Sequence, residues 1–211
     1  PKSVSFINSE AFYSYANYYD DDCVLAPIEC FDVDDDNENY CSVNGNLYTK
    51  DMKTLVLYAC KKHEETFKIP DEVTKIGSFA FCNCTSLTSI IIPNGVTEIG
   101  SNAFENCTSL TSIIIPDGVT KIDRDAFREC TSLTGAIIPD GVTEIGSSAF
   151  LSCTSLTSII IPNSVTKIDR FVFRNCSSLK TIYCEAESQP QDYHEKWISD
   201  CNAEVIWGYK K

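Results

Sequence analysis

The sequence predicts a parallel β-solenoid with irregular ends, and three observations carry that expectation. Prolines stand at 70, 93, 116, 139 and 162, each 23 residues after the last. The five units they open each end in the apolar spacing L-x-x-I-x-I or a close variant, as in Leu87-Thr88-Ser89-Ile90-Ile91-Ile92. Each unit also holds a cysteine in one phase: Cys84, Cys107, Cys130, Cys153 and Cys176. A unit this short has no core of its own, so it folds only by stacking on its like.

A period of 20–29 residues with that spacing is the mark of a leucine-rich repeat, one coil per unit. Within a coil, Leu87, Ile90 and Ile92 form the inward set of a strand, because successive strand side chains point to opposite faces. Val73 and Ile76 belong to a second short extended segment. The spacing of Ala80, Phe81 and Cys84 predicts one short helical or 3₁₀ turn. Pro-Asn-Gly and Pro-Asp-Gly supply turns, since proline fixes φ and glycine accepts positive values. The residue before each phased isoleucine reads Lys75, Glu98, Lys121, Glu144, Lys167, so stacking places opposite charges side by side. Each exposed pair contributes about 0.2–1 kcal/mol, which biases register more than it stabilises.

The ends depart from the period. "PKSVSFINSEAF" (1–12) overlays "PDEVTKIGSFAF" (70–81), and a Tyr/Asp-rich insertion at 13–27 follows. "IECFDV" (28–33) is expected to supply a strand, and "VNGNLYTKDMKTLVLYA" (43–59) a β-hairpin. After Cys184, "QDYHEKWIS" reads as a short helix and "EVIWG" as a last strand. Trp197 and Trp207 are expected to plug this terminal cap. Residues 1–69 thus form two irregular repeats, 70–184 five regular ones and 185–211 a cap, in one continuous solenoid of seven coils.

The net charge of −13, concentrated in "DDDCVLAPIECFDVDDDNE" (20–38), argues against nucleic-acid binding, which needs basic patches. No apolar run approaches the roughly 20 residues of a membrane span. The opening "PKSVSFINSE" lacks a basic n-region and an apolar h-region. That leaves open a cytosolic protein or the mature part of a secreted one.

The pattern P-x-x-V-T-x-I-x-x-x-A-F-x-x-C-T-S-L-x-x-I-x-I resembles the BspA-like leucine-rich repeats, and the "VNGNLYTKD…LVLYA" and "YCEAES…VIWG" segments share in the resemblance. It implies a right-handed solenoid with a parallel sheet on a concave face. It also implies an extracellular or cell-surface protein, mostly of bacteria, that adheres to host matrix proteins or other microbes. The family brings no catalytic residues and no cofactor, and the insertion at 13–27 departs from its pattern.

Sharper chemical readings meet plain alternatives. The cysteine ladder reads as small buried side chains rather than a metal or redox array. The other seven cysteines form no C-x-x-C, and the histidines are only His63 and His194, which disfavours structural zinc. Cys184 and Cys201 flank the cap and are a candidate disulfide. A chain rich in unpaired cysteine fits a reducing setting better than an oxidising one. Asp32, Asp34 and Asp36 stand at the first three positions of a calcium loop, but Asn37 replaces the glycine and Val43 the glutamate. Sequons at Asn83, Asn106 and Asn175 matter only in a eukaryotic secretory pathway.

The outward strand positions remain. One row holds Ile91, Ile114, Ile137, Ile160 and Tyr183, and its neighbour Ser89, Ser112, Gly135, Ser158 and Thr181. Stacked β-branched residues support one another, and the same row is a contiguous apolar stripe suited to a protein partner. The first expectation is therefore a non-enzymatic surface protein binding a protein ligand there. The alternative is a carbohydrate-binding module using Tyr13, Tyr15, Tyr18 and Tyr19 beside the insertion's aspartates. A third option is a structural spacer.

Overall fold

A computed structural model describes residues 1–17, 20–25 and 28–210. The chain winds as a parallel β-solenoid whose coils superpose two strand rows. One row is built of the long strands: Ser112–Ile114, Gly135–Ile137, Ser158–Ile161, Thr181–Cys184 and Glu204–Ile206, hydrogen-bonded in that order. Ser89–Ile91 precedes them and pairs in parallel with Thr66–Lys68. The other row is a nine-stranded sheet of mostly two-residue strands, among them Lys75–Ile76, Glu98–Ile99, Lys121–Ile122, Glu144–Ile145 and Lys167–Ile168.

Each coil closes through a third side where the expected helical turn is absent. In residues 78–83 and their equivalents the backbone forms successive turns. The amides alternate: Ala103 N–H donates to Gly100 within its own coil, Phe104 N–H to Ala126 of the next, Glu105 N–H back to Asn102, and Asn106 N–H to Arg128. A helix would direct all four into its own coil. The alternation needs left-handed backbone at every fourth residue, and φ is positive at Asn102 and Asn106, Asp125 and Glu129, Ser148 and Ser152. Asparagine and aspartate tolerate that region best. The sequon residues Asn83, Asn106 and Asn175 are thus turn residues, and Asn106 Nδ2 donates to Asn83 Oδ1 at 2.6 Å.

Identical residues meet in the core. Phe81, Phe104, Phe127, Phe150 and Phe173 stack with centroids 5.1, 5.4, 5.2 and 5.7 Å apart. The edge of Trp197 closes one end of the column, and Tyr58 with Phe67 the other. Trp197 is buried and Trp207 packs against the same core, so both serve as plugs. The ladder cysteines are buried beside this column. Cys107, Cys130, Cys153 and Cys176 each donate the thiol to the phenylalanine carbonyl 26 residues earlier, at 3.0–3.1 Å. Burial pushes Cys107 and Cys176 up to about 12 and Cys130 and Cys153 well above the ordinary thiol range. A thiol so held is neither nucleophile nor metal ligand.

The alternating charges lie in register: Lys75 meets Glu98 at 2.6 Å, and Glu144 meets Lys167 at 2.8 Å and Lys121 at 3.6 Å. Threonine hydroxyls add rungs, with Thr88, Thr111 and Thr134 each donating to a carbonyl one coil back.

Four expectations need correction. The A-F-x-x-C segment is turn rather than helix, as described. Residues 28–33 form no strand; Phe31 N–H bonds Gly45 O as a loop. The segment read as a helix in the cap holds the strand Asp192–Tyr193, which pairs with Lys167–Ile168, and then turns. The cap therefore repeats the coil plan, with Trp197 at the end of the phenylalanine column. Finally, Cys84 bridges to Cys60, while Cys184 and Cys201 remain thiols. Cys60 lies 24 residues before Cys84, one residue off the ladder phase.

The hairpin appears as expected and continues into a third strand: Tyr40–Val43, Asn46–Thr49 and Thr54–Leu57 run antiparallel. Asn44 and Gly45, both with positive φ, make its tight turn.

Two predictions follow from the third side. Cys130→Ala leaves a small void and removes a buried donor, costing about 1–2 kcal/mol in urea unfolding; unchanged stability would remove the thiols from the packing. Glu105 is 4% exposed and accepts from Asn102 Nδ2 at 2.7 Å, with Arg128 3.6 Å away. Burial raises its carboxyl to about 7. Its stabilising contribution is therefore complete below pH 4.5 and lost as pH rises through 7. Glu105→Gln is expected to stabilise by roughly 2–3 kcal/mol at pH 8 and to be nearly neutral at pH 4, read from melts at both pH values.

Candidate binding face

The long strand row shows one face to the core and one outward, and its registers are fixed. Ile114 pairs with Ile137, Ile137 with Ile160, Ile160 with Tyr183, and Tyr183 with Ile206. Ile90, Ile113, Ile159 and Ile182 between the strands' outward residues are buried. Their neighbours are not: Ile91 is 59%, Ile114 69% and Ile137 63% exposed, while Ile160 and Tyr183 are half-buried. The Tyr183 ring packs on Tyr209 with centroids 4.7 Å apart, which fixes its orientation. The sequence reading missed Ile206, a further exposed member of the row. Its signal was the alternation within "EVIWG", where Val205 packs against the core.

The flanking row places Ser112 and Ser158 in the open and Ser89 and Thr181 half-buried. Gly135 interrupts it, and a Cβ there would meet nothing within 4 Å. Ala136 stands where other coils have isoleucine, so the face dips here. The depression measures about 490 Å³ and is lined by Ser112, Ile114, Gly135, Ile137, Ser158 and Ile160. Charge is confined to the stripe's ends, with Lys68 paired beside Ile91 and Glu204 beside Thr181. The arrangement offers apolar contact rimmed by hydroxyls.

The other candidates are placed differently. Asp32, Asp34 and Asp36 are not brought together as a metal set: Asp36 pairs with Lys2, and Asp34 Oδ1 accepts the Asp36 amide at 3.0 Å. Buried Asn37 organises that loop, donating to Pro1 O and Val4 O and accepting from the amides of Asn39 and Tyr40. Among the described residues no cluster of three or more His, Cys, Asp or Glu side chains forms a metal site. In the insertion, Tyr13–Asn17 and Asp20–Leu25 pair antiparallel. Tyr18 and Tyr19 lie outside the described residues, and the side chains of Tyr13 and Tyr15 likewise.

The profile of the BspA type leucine-rich repeat region matches residues 53–189 in six copies. The chain belongs to the BspA-type leucine-rich repeat family. The fold is shared with solved structures. The pneumococcal vaccine antigen PcpA is 26% identical with a TM-score of 0.73, over 85% of this chain and 50% of PcpA. A leucine-rich cell surface protein of Faecalibacterium prausnitzii is 33% identical with a TM-score of 0.68, over 81% of this chain and 44% of its own. The leucine-rich repeat protein TpLRR of T. pallidum is 29% identical with a TM-score of 0.59, over 72% and 71%. The chain thus spans half or less of the first two. No curated protein matches it. The BspA-type family consists of leucine-rich repeat binding scaffolds rather than known enzymes, which points to a binding or adhesin role. No helix among the described residues is long and apolar enough to cross a membrane.

Gly135 gives a test of the dip. Gly135→Ala places its Cβ in open space and reduces unfolded-chain freedom, so it is expected to stabilise by about 0.4–1 kcal/mol in urea unfolding. A loss of stability would show that the glycine backbone itself is required.

Proposed function

We propose that this BspA-type protein is a non-enzymatic adhesion module, displayed at a cell surface or secreted, that docks a protein ligand on the isoleucine stripe. One observation carries the reading: Ile91, Ile114 and Ile137 are each more than half exposed in one row, while Ile90, Ile92, Ile113, Ile115 and Ile138 beside them in the chain are buried. A soluble fold gains little from water-exposed isoleucine, and contiguous apolar stripes rimmed by hydroxyls suit a protein surface. The roughly 4.8 Å spacing between rungs matches an extended or flat partner surface rather than a deep small-molecule pocket. The dip at Gly135 offers a socket for one protruding side chain, the kind of central anchor that dominates interface energies.

The same residues make the test clean, because they contribute little to the core. Replacing Ile91, Ile114 and Ile137 with Lys is expected to abolish binding to host matrix protein or to partner cells. Far-ultraviolet dichroism and the melting temperature should stay close to the parent. Undiminished adhesion by a folded triple variant would reject this face as the site.

A further inference from the structure

All four arginines of the chain line one groove on the turn side; every other basic residue except the histidines is lysine. Arg124 and Arg128 rise from one coil, Arg170 and Arg174 from the coil two further on. The coil between them carries Ser147 and Leu151 at the equivalent positions, with Ser148 and Ser152 beside them, leaving a slot of about 920 Å³ that Asp125, Glu129 and Asp169 also line. This concentration stands out on a protein of net charge −13.

The walls are held in place. Arg124 Nε contacts Asp125 Oδ2 at 2.9 Å, Arg128 contacts Glu129 through Nη2 at 3.2 Å and Glu105 through Nη1 at 3.6 Å, and Arg174 Nε contacts Asp200 Oδ2 at 2.9 Å. Contacts through Nε engage one edge of a guanidinium that carries five donors. Arg170 makes no ion pair among the described residues, and its guanidinium lies 5.9 Å from the Phe171 ring centroid, with that of Arg174 at 5.3 Å. Phe171 itself sits at φ 62°, a left-handed conformation that a bulky side chain adopts only at a cost. The other regular coils except the first place Asn, Asp or Ser there. The fold thus keeps a strained aromatic whose ring supports two arginines.

We propose that this slot is a second binding site, for an acidic glycan bearing sulfate or carboxylate groups. Planar guanidiniums bind such oxyanions bidentately, and the serines suit sugar hydroxyls. The spacing selects the class. Equivalent arginines stand two coils apart, about 9.6 Å at the usual strand separation. Side chains on one face of an extended peptide recur at only about 6.6 Å, whereas an acidic disaccharide polymer repeats its charge at close to the two-coil distance.

The test is calorimetric titration of a heparin octasaccharide into the whole chain at low salt. Wild type is expected to bind, to weaken as salt is added, and to lose affinity roughly tenfold or more with Arg124→Ser plus Arg170→Ser. Both residues are exposed, so the melting temperature should hold; Arg170→Gln alone gives a smaller loss if the double variant unfolds. Ile114→Ser, on the strand face, should leave glycan affinity unchanged, which separates this site from the proposed adhesion face. The proposal is overturned by no binding to wild type, by equal binding of an uncharged octasaccharide, or by equal binding to the arginine variants. A poly-glutamate peptide binding as tightly, or loss of glycan affinity in Ile114→Ser, would overturn it as well.

Discussion

Every regular coil depends on its neighbour for half of the backbone hydrogen bonds on its third side. Amides of Phe104 and Asn106 are satisfied only by Ala126 and Arg128 of the next coil, while those of Ala103 and Glu105 close on their own. This alternation permits no insertion or deletion within the segment, because a one-residue slip would leave buried amides without acceptors. It accounts for the strict 23-residue period better than side-chain packing does. Packing then follows: once backbones are in register, phenylalanine meets phenylalanine and each thiol finds the same carbonyl.

The ends show how such an array stops. An open coil would expose both apolar core and unpaired backbone, the hazard of any sheet edge. At the C-terminal side Trp197 covers the phenylalanine column, and Asp192–Tyr193 and Glu204–Ile206 continue both strand rows. At the other side the antiparallel strands from Tyr40 to Leu57 finish the narrow sheet, and the Cys60–Cys84 bridge ties the second irregular coil to the first regular one.

Much of this was legible in the letters, for a physical reason. Proline, the phased leucine and the isoleucine triplet act through period and alternation, so the solenoid, the inward set and the outward row follow from spacing alone. The third side was misread because Ala80, Phe81 and Cys84 have a helical spacing, and the residues that forbid a helix are ordinary polar ones. Asparagine recurring at 83, 106 and 175 was the available signal for left-handed backbone. The Cys60–Cys84 pair was invisible because it joins a ladder position to one just out of phase. The dip at Gly135 needed the register, since an isolated glycine in a strand does not disclose what surrounds it.

The division of labour within each triplet is the central claim: one isoleucine holds coils together and the next faces outward. Urea unfolding of two single variants at adjacent positions tests it directly, because Ile113 and Ile114 differ in direction and little else. The account predicts that Ile113→Ala costs about 2–5 kcal/mol, while Ile114→Ala costs under about 1 kcal/mol. Equal losses at the two positions would contradict it.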